Sequence, residues 1–264
     1  MNKVIRAEFG RTINAGLIIA IAGIIFSICF DSFNDLIAGL RNGQGYVGYF
    51  FSNAAFGGMC THYMLPVFTA LPFSVSLCQE RNNKAVSYIV SREGKNRYIF
   101  AKFIVSAISG GFVAACGTVL LFLMLAMRFP IAGDEFEGAV VSDYFHEWSA
   151  VYYPQLYILT LSILAFCRGV IWSSLALCVS LYTSDFMVVL LSPFLGSYVL
   201  VRIFQIIRVP DMVRPDMILI GQVVIKSSGV TLIIAIAISL TIVTLIGAFF
   251  VGKMKEGLKS GTIY

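Results

Sequence analysis

Long apolar runs separated by short polar segments dominate the hydrophobic pattern of the chain. A helix needs about 20 mostly apolar residues to cross the hydrocarbon core of a bilayer. Six runs approach or exceed that length, and they predict membrane-spanning helices at about 13–30, 55–78, 100–127, 153–181, 186–207 and 229–251. The runs are continuous, whereas membrane β-barrels show alternating segments of about ten residues. The pattern therefore predicts an all-α polytopic membrane protein.

The first polar segment, residues 1–12, predicts a helix that lies along the inner membrane surface. Its apolar residues recur at helical spacing among charged side chains; they are Val4, Ile5, Phe9 and, just beyond the segment, Ile13. A single apolar stripe on a short charged helix is typical of helices that lie in the headgroup region.

The segment before the last run, residues 208–229, predicts broken short helices rather than another span. It reads "RVPDMVRPDMILIGQVVIKSSG" and contains Pro210 and Pro215. Proline lacks a backbone donor and interrupts a helix, and non-helical backbone at membrane depth must be surrounded by protein or water. We expect re-entrant helices that dip into the outer leaflet.

The composition supports a single transmembrane domain over residues 1–264. Hydrophobic residues make up 58% of the chain and charged residues 12%, against roughly 25% charged residues in soluble domains. So little charge cannot cover the surface of a soluble domain of this size. No internal repeat is visible, which argues against a transporter built from inverted repeats.

The distribution of charge predicts that both termini are cytoplasmic. In that orientation the inner segments hold twelve basic and five acidic residues, whereas the outer segments hold five basic and nine acidic residues. An excess of Lys and Arg on the cytoplasmic side is the usual determinant of orientation. The net charge of +5 thus collects beside the membrane, and we expect no interaction with nucleic acid.

Few residues suggest catalysis. The two histidines are His62 and His146, and no G-x-S-x-G, H-E-x-x-H or Walker A motif is present. We find no nucleophile paired with a base and no pair of intramembrane carboxylates. The segment "DYFHE" at 143–147 could hold a cation, but an acidic outer loop explains it better. We expect no catalytic residue and no metal site; the alternative is an intramembrane enzyme that uses His62 or His146.

Arg168 lies near the middle of the fourth run, in "LAFCRGVIWSS". A charged side chain at that depth is costly and by default suggests a function. One interpretation is a polar patch in a translocation path, to which we also assign Trp172 and Ser173. The other is that the fourth helix is tilted or displaced and Arg168 meets a polar partner or water within the bundle.

Small residues repeat every four positions in the third run, within "SAISGGFVAAC". This spacing lets two helices approach closely, and such contacts more often lie within one chain than between two chains. We assign helix packing to Gly110, Gly111, Ala114 and Ala115.

Residues 79–102, "QERNNKAVSYIVSREGKNRYIFAK", form a polar segment with eight charged residues in an otherwise apolar chain. Its apolar positions recur at helical spacing and predict a short amphipathic helix that ends near Gly94; they are Ala85, Val86, Ile89 and Val90. Such a helix either lies on anionic lipid headgroups or docks a cytoplasmic partner. The composition does not decide between the two.

Four segments resemble the membrane-spanning permease subunit of type-2 ABC exporters, the family with six spans per half-transporter. "IRAEFGRTI" is similar to the elbow helix before the first span, and "LCQERNNKAVSYIVSREGKNRYIFAK" to the first cytoplasmic loop with its coupling helix. "WSSLALCVSLYTSDFMVVLLSP" resembles the hairpin of the fourth and fifth spans, and the broken segment before the last run resembles the family's re-entrant extracellular helices. The chain departs from the family at Lys84 and Ala85, where many members have Gly-Thr.

The resemblance implies that the polar segment seats in a groove of a separate ATPase subunit. The residues that would couple the two chains are Glu80, Arg81, Lys84, Ala85, Val86, Ser87, Tyr88, Ile89, Val90 and Arg92. ATP and Mg²⁺ would be bound by that partner and no cofactor by this chain. Two ATPases would act on a pair of permeases, identical or homologous, that enclose the path in a bacterial plasma membrane.

The cargo is constrained only by the apolar, aromatic character of the spans. We expect a hydrophobic or amphipathic cargo such as a peptide toxin, a bacteriocin or a drug-like molecule. The alternative function is an accessory integral membrane protein, an immunity factor or a sensor, that has no transport activity and binds no ATPase.

Overall fold

The computed structural model describes residues 2–42, 47, 50, 58–131 and 153–260, and every regular element in these residues is a helix. We number the α-helices along the chain: α1 Asn2–Thr12, α2 Ala15–Asp31, α3 Phe33–Asn42, α4 Met59–Ala70, α5 Ser76–Asn82, α6 Val86–Glu93, α7 Lys95–Ala126, α8 Pro154–Val179, α9 Phe186–Ile207, α10 Pro215–Ile220 and α11 Ser228–Ser260. His146 and the rest of segment 143–147, like residues 55–57 at the start of the second run, lie outside the described residues.

Four helices are long and apolar enough to cross a membrane, namely α7, α8, α9 and α11. A fifth candidate is the pair α1 and α2, if the two helices, bent by 58°, form one span. The prediction of a polytopic helical membrane protein is confirmed at this level, with four to five candidate spans among the described residues.

The second predicted run, 55–78, is interrupted in the structure. It contains α4 and part of α5, which have 12 and 7 residues and are each shorter than a span requires. Turns at 71–75 separate them, and Pro72, which has no backbone donor, lies in these turns. We therefore observe two short helices where the hydrophobic pattern predicts one long helix.

Asp31, the last residue of α2, holds the first turn of α4. Its carboxylate accepts hydrogen bonds from the backbone N–H groups of Cys60, at 2.9 Å, and Thr61, at 2.6 Å. The first N–H groups of a helix have no partner within the helix and need an acceptor from elsewhere. Here a distant part of the chain supplies it, so the end of α2 fixes the start of α4.

The short elements predicted at the N-terminus and before the last run are present as helices. The N-terminal helix is α1, and Asn14 begins α2 after the bend by accepting a hydrogen bond from the N–H of Leu17. The segment at 208–229 contains a turn of 3₁₀-helix at Asp211–Val213 and the short α10. Proline starts α10, as is common at the first helical position.

α8 is the central helix of the bundle and packs against α4, α7, α9, α10 and α11. Its closest neighbour is α7, at the small residues that the sequence assigns to helix packing. A Cβ placed on Gly110 would lie 2.3 Å from Cβ of Ser173 and 2.9 Å from the carbonyl oxygen of Gly169. Gly111 faces Val170 in the same way, at 2.6 Å. Ala114 is buried and Ala115 is half-buried on the same helix.

One end of the bundle carries α1, α6 and the last turns of α11, and we call it the loop end. There Val86 and Val90 of α6 share an apolar cluster with Met254 and Leu258 of α11. The N-terminal helix joins the same end through Glu8, whose carboxylate accepts a hydrogen bond from Lys102 of α7. The described beginning and end of the chain therefore lie on the same side of the bundle.

We expect Gly110→Ala to destabilise the chain, because the added methyl group meets the backbone of α8 as well as a side chain. Overpacking of a close contact costs about 1–3 kcal/mol. Gly252→Ala is the matched control, since a Cβ on this helical glycine meets nothing within 4 Å. Thermal unfolding of both purified variants in detergent measures the difference. Equal melting temperatures would contradict the close α7–α8 contact.

Candidate functional site

A group of charged and polar side chains, buried except for an exposed arginine and a half-buried serine, lies beneath the loop end, and we call it the ionic cluster. Its centre is Lys102, whose amine donates to Glu80 Oε1 at 2.7 Å, to Glu8 Oε2 at 3.1 Å and to the Ser76 hydroxyl at 3.2 Å. The side chain of Lys102 is fully buried. The cluster comprises Glu8, Arg11, Ser76, Glu80, Tyr98 and Lys102.

Glu80 is the acceptor on which most of the cluster converges. Besides Lys102, it accepts from Arg11 at 2.6 Å and from the Tyr98 hydroxyl at 2.5 Å. Arg11 also approaches Glu8 at 3.4 Å. Two carboxylates thus face two cations, so the cluster is electrically balanced. That balance matters because a buried charge without a partner is strongly unfavourable.

Aromatic rings cover the remaining sides of the Lys102 amine. The amine lies 4.7 Å from the ring centre of Phe73 and 5.8 Å from that of Tyr98. An ammonium within about 6 Å of a ring centre is attracted by the ring face. Rings and carboxylates together replace the water that an exposed lysine would keep.

Three helices each contribute two residues to the cluster at spacings of three or four. Residues at these spacings lie on one face of a helix. The pairs are Glu8 and Arg11 on α1, Ser76 and Glu80 on α5, and Tyr98 and Lys102 on α7. Of these six residues only Glu80 was predicted from the sequence, as a contact to a partner, and the other five had no predicted role. The paired spacing on three short polar segments was the signal that could have revealed them.

The helix α6 rests on this part of the bundle with its apolar side. Val86 and Val90 are buried against the core, and Ile89 is half-buried. Glycine is needed at its end, since Gly94 has φ of 86°, in the left-handed region. The exposed side chains lie on the outward side of α6 and just before it. Lys84 precedes the helix, and Ser87, Tyr88, Ser91 and Arg92 lie on it.

The residues predicted to couple the chain to an ATPase therefore fall into two groups. Lys84, Ser87, Tyr88 and Arg92 face outward. The others make contacts within the chain. Glu80 belongs to the ionic cluster, Val86 and Val90 are buried in the core, and Ala85 and Ile89 are half-buried.

Arg81 also turns inward and joins α5 to the end of α8. Its guanidinium donates to the carbonyl oxygens of Ser180 at 3.0 Å and Leu181 at 3.2 Å. These carbonyls follow the last turn of α8, where intrahelical donors run out. The neighbouring Asn82 donates to the carbonyl oxygen of Ser184 at 3.2 Å. The loop is thus attached to the α8–α9 turn as well as to α1 and α7.

Near the middle of α8, Arg168 lines two adjoining cavities of about 220 Å³ and 160 Å³, and the larger one extends toward the end of the bundle opposite the loop end. Trp172, predicted with it as part of a path, lines the second cavity. Ser173 does not line either one. It is buried at the α7–α8 contact, and its carbonyl oxygen accepts a hydrogen bond from Ser74 at 2.9 Å.

His62 and an ion pair complete the wall of the larger cavity. Arg214 donates to Asp216 Oδ2 at 2.7 Å and to Asp211 Oδ1 at 3.2 Å. The hydrogen bond to Asp216 raises the pKa of Arg214 above its usual value. Within the described part of the chain, no group of three or more His, Cys, Asp and Glu side chains is arranged to hold a metal ion.

We expect Lys102→Met to destabilise the chain strongly, because it leaves the carboxylates of Glu8 and Glu80 buried with Arg11 as their only cation in the cluster. Removing one partner of a buried ion pair costs about 3–5 kcal/mol. Lys95→Met, at the exposed start of the same helix, is the control. The melting temperatures in detergent measure the loss.

The double variant Lys102→Met with Glu80→Gln tests the cause of that loss. It restores the charge balance, so we expect it to recover part of the lost stability. A Lys102→Met variant as stable as Lys95→Met, or a double variant less stable than the single one, would contradict the electrostatic role of the cluster.

Two features of the described chain have the geometry of functional sites. One is the outward face of α6, held in place by the ionic cluster, and the other is the pair of cavities at Arg168. Comparisons with protein-family models, curated proteins and solved structures give no match. The chain is a helical membrane protein, and its function has to be inferred from these two sites.

Proposed function

We propose that the chain is the permease subunit of an ATP-driven exporter, a six-span half-transporter like those of the type-2 ABC exporter family. Two such chains, identical or homologous, enclose the translocation path. Separate ATPase subunits bind at the loop end and carry ATP and Mg²⁺. The protein lies in a bacterial plasma membrane with both termini in the cytoplasm.

The rigid attachment of α6 is the observation that carries this proposal. The helix is held by its buried valines, and the helices on either side of it are held by the ionic cluster and by the contacts of Arg81 with the end of α8. A force applied to α6 therefore moves α5, α7 and the α8–α9 turn together. Transport driven by an ATPase needs such a rigid-body connection between docking surface and spans.

The exposed side of α6 suits a protein partner better than a lipid surface. A helix that lies on lipid turns its apolar side toward the acyl chains, but α6 has buried that side in its own chain. The outward face is polar apart from Tyr88, whose residue surface is 71% exposed. Aromatic and Arg side chains such as Tyr88 and Arg92 are the usual anchors of protein interfaces.

The backbone at Lys84 supports the resemblance at the point where the sequence departs from it. Lys84 has φ of 52°, in the left-handed region that glycine adopts most easily. Many members of the family have glycine at this position. The chain thus keeps the backbone conformation that a glycine there would favour, although the residue differs.

Six spans follow if α4 and α5 together form one broken span and α1 lies on the surface before α2. The spans are then α2, α4 with α5, α7, α8, α9 and α11. An even number agrees with the presence of α1 and the last turns of α11 at the same end. Helices broken at proline are tolerated in membranes where protein surrounds the break.

A second copy of the permease and the surrounding lipid would cover apolar faces that this chain leaves open. α9 and α11 expose large apolar side chains along much of their length; they include Leu191, Leu195, Ile203, Ile233, Leu240 and Leu245. A path between two such faces suits a hydrophobic or amphipathic cargo, such as a peptide toxin, a bacteriocin or a drug-like molecule.

Substitutions on the outward face of α6 test the proposal. We expect Tyr88→Ala combined with Arg92→Glu to reduce recovery of the ATPase with the tagged chain about tenfold or more, since loss of interface anchors costs about 2 kcal/mol or more. The measurement is affinity purification from native membranes, with mass spectrometry and an ATPase assay of the eluate. Lys255→Glu, an exposed charge reversal in α11 at the same end, is the control.

Buried positions of α6 are unsuitable for this test, because a charge at Val86 would disrupt the core. An ATPase that is recovered equally with the surface variant and with the control would show that α6 is not the docking surface. A chain recovered without any ATPase would contradict the permease proposal and favour the accessory membrane protein.

A further inference from the structure

Arg168 is a buried cation for which the described chain provides no partner. The residue is only 8% exposed and lies near the middle of α8. No hydrogen bond or ion pair joins it to another described residue. A guanidinium has five donors and stays charged, and a buried charge without a partner is strongly unfavourable. A buried arginine without a partner points to a ligand whose negative charge pairs with the guanidinium.

The larger cavity beside Arg168 is lined by polar and apolar atoms in nearly equal parts and has the size of a small headgroup. It measures about 220 Å³, and its polar side chains come from α4, α9 and the segment around α10; they are His62, Gln205, Arg214, Asp216 and Gln222. Arg214 is neutralised by Asp216 at 2.7 Å, and its second carboxylate partner, Asp211 at 3.2 Å, has a side chain that is 70% exposed and does not line the cavity. Arg168 is therefore the uncompensated charge of this wall, which suits a ligand with a single negative charge.

The second cavity gives the ligand an apolar part. It measures about 160 Å³ and shares Arg168 and His62 with the first cavity. Its lining is mainly apolar and includes Ile171, Trp172, Leu175, Leu200, Leu219 and Ile242. Ligand sites typically combine an apolar lining with a few polar groups that fix the orientation. Here the polar and apolar parts meet at Arg168.

We propose that the two cavities bind an amphiphile of net charge −1, whose charge is carried by one oxygen-bearing group, a carboxylate or a phosphodiester. The guanidinium of Arg168 binds two of its oxygens in a fork, the geometry that arginine provides for such groups. His62 and the two glutamine amides line the space around the same group. The apolar chain extends past Trp172 into the second cavity.

Two sources can supply this chemistry, and the proposal does not depend on the exporter function. One is a phospholipid of the surrounding membrane, which would be a resident component of the protein. The other is a free amphiphile with a carboxylate, which would be a substrate or an effector. Both have a single anionic group at the end of an apolar chain.

Thermal unfolding of the purified protein in an uncharged detergent distinguishes these sources. The probes are phosphatidylglycerol for the lipid and dodecanoate for the free amphiphile. Phosphatidylcholine controls for the net charge of the headgroup, and acetate for the apolar chain. We expect phosphatidylglycerol, dodecanoate or both to raise the melting temperature in a saturable way, and phosphatidylcholine and acetate to have little effect.

The variants assign the effect to Arg168. We expect Arg168→Gln to weaken probe binding about tenfold or more, because hydrogen bonds to a charged group raise affinity by at least this factor. Arg168→Lys, which keeps the charge, should weaken binding less. Arg97→Gln, at an exposed arginine of α7, should bind like the unaltered protein. Without any probe, Arg168→Gln should be at least as stable as the unaltered protein, because it removes an unpaired buried charge.

Stabilisation by phosphatidylglycerol alone identifies a lipid site, and stabilisation by dodecanoate identifies a site for free amphiphiles. No effect of either probe, or equal binding by Arg168→Gln, would overturn the proposal. An Arg168→Gln protein that is destabilised without probe would also overturn it, because Arg168 would then have a structural role.

Discussion

The ion pair between Lys102 and Glu80 is the constraint on which the loop end depends. An amine that is fully removed from water requires carboxylates close by, and those of Glu80 and Glu8 come from different helices. α1, α5 and α7 must therefore meet at one point. Because α6 lies between α5 and α7 in the sequence, its position follows from that meeting, and its buried valines fix its orientation.

The proposed function requires α6 to be exposed on one side, where a partner would dock, and firmly attached on the other. Buried apolar contacts alone would hold α6 but leave its direction less defined, since such contacts tolerate repacking. Hydrogen bonds of Glu80 and Arg81 have stricter geometry. The combination gives the outward face of Tyr88 and Arg92 a defined position relative to the long helices.

The long helices could be predicted from the sequence because their apolar runs are continuous over about 20 residues or more. The second run is interrupted near Pro72, and hydrophobicity alone does not show the break because apolar residues continue through the turn. The ionic cluster was missed because its partners lie 22 and 94 residues apart and each resembles an ordinary interfacial charge. For Arg168, the sequence indicated an unusual position, but its neighbours depend on how α4, α9 and α10 pack.

The contact between Gly110 and Gly169 determines which wall of the cavities is able to move. Gly169 follows Arg168 directly in α8, and its backbone is pressed against α7, where even a methyl group would lie 2.4 Å from the carbonyl oxygen of Gly110. The wall that carries Arg168 thus has no room to move toward α7. Any widening or closing of the cavities therefore has to come from the facing helices. α8 forms the fixed wall, and α4, α9 and α10 form the walls that can shift.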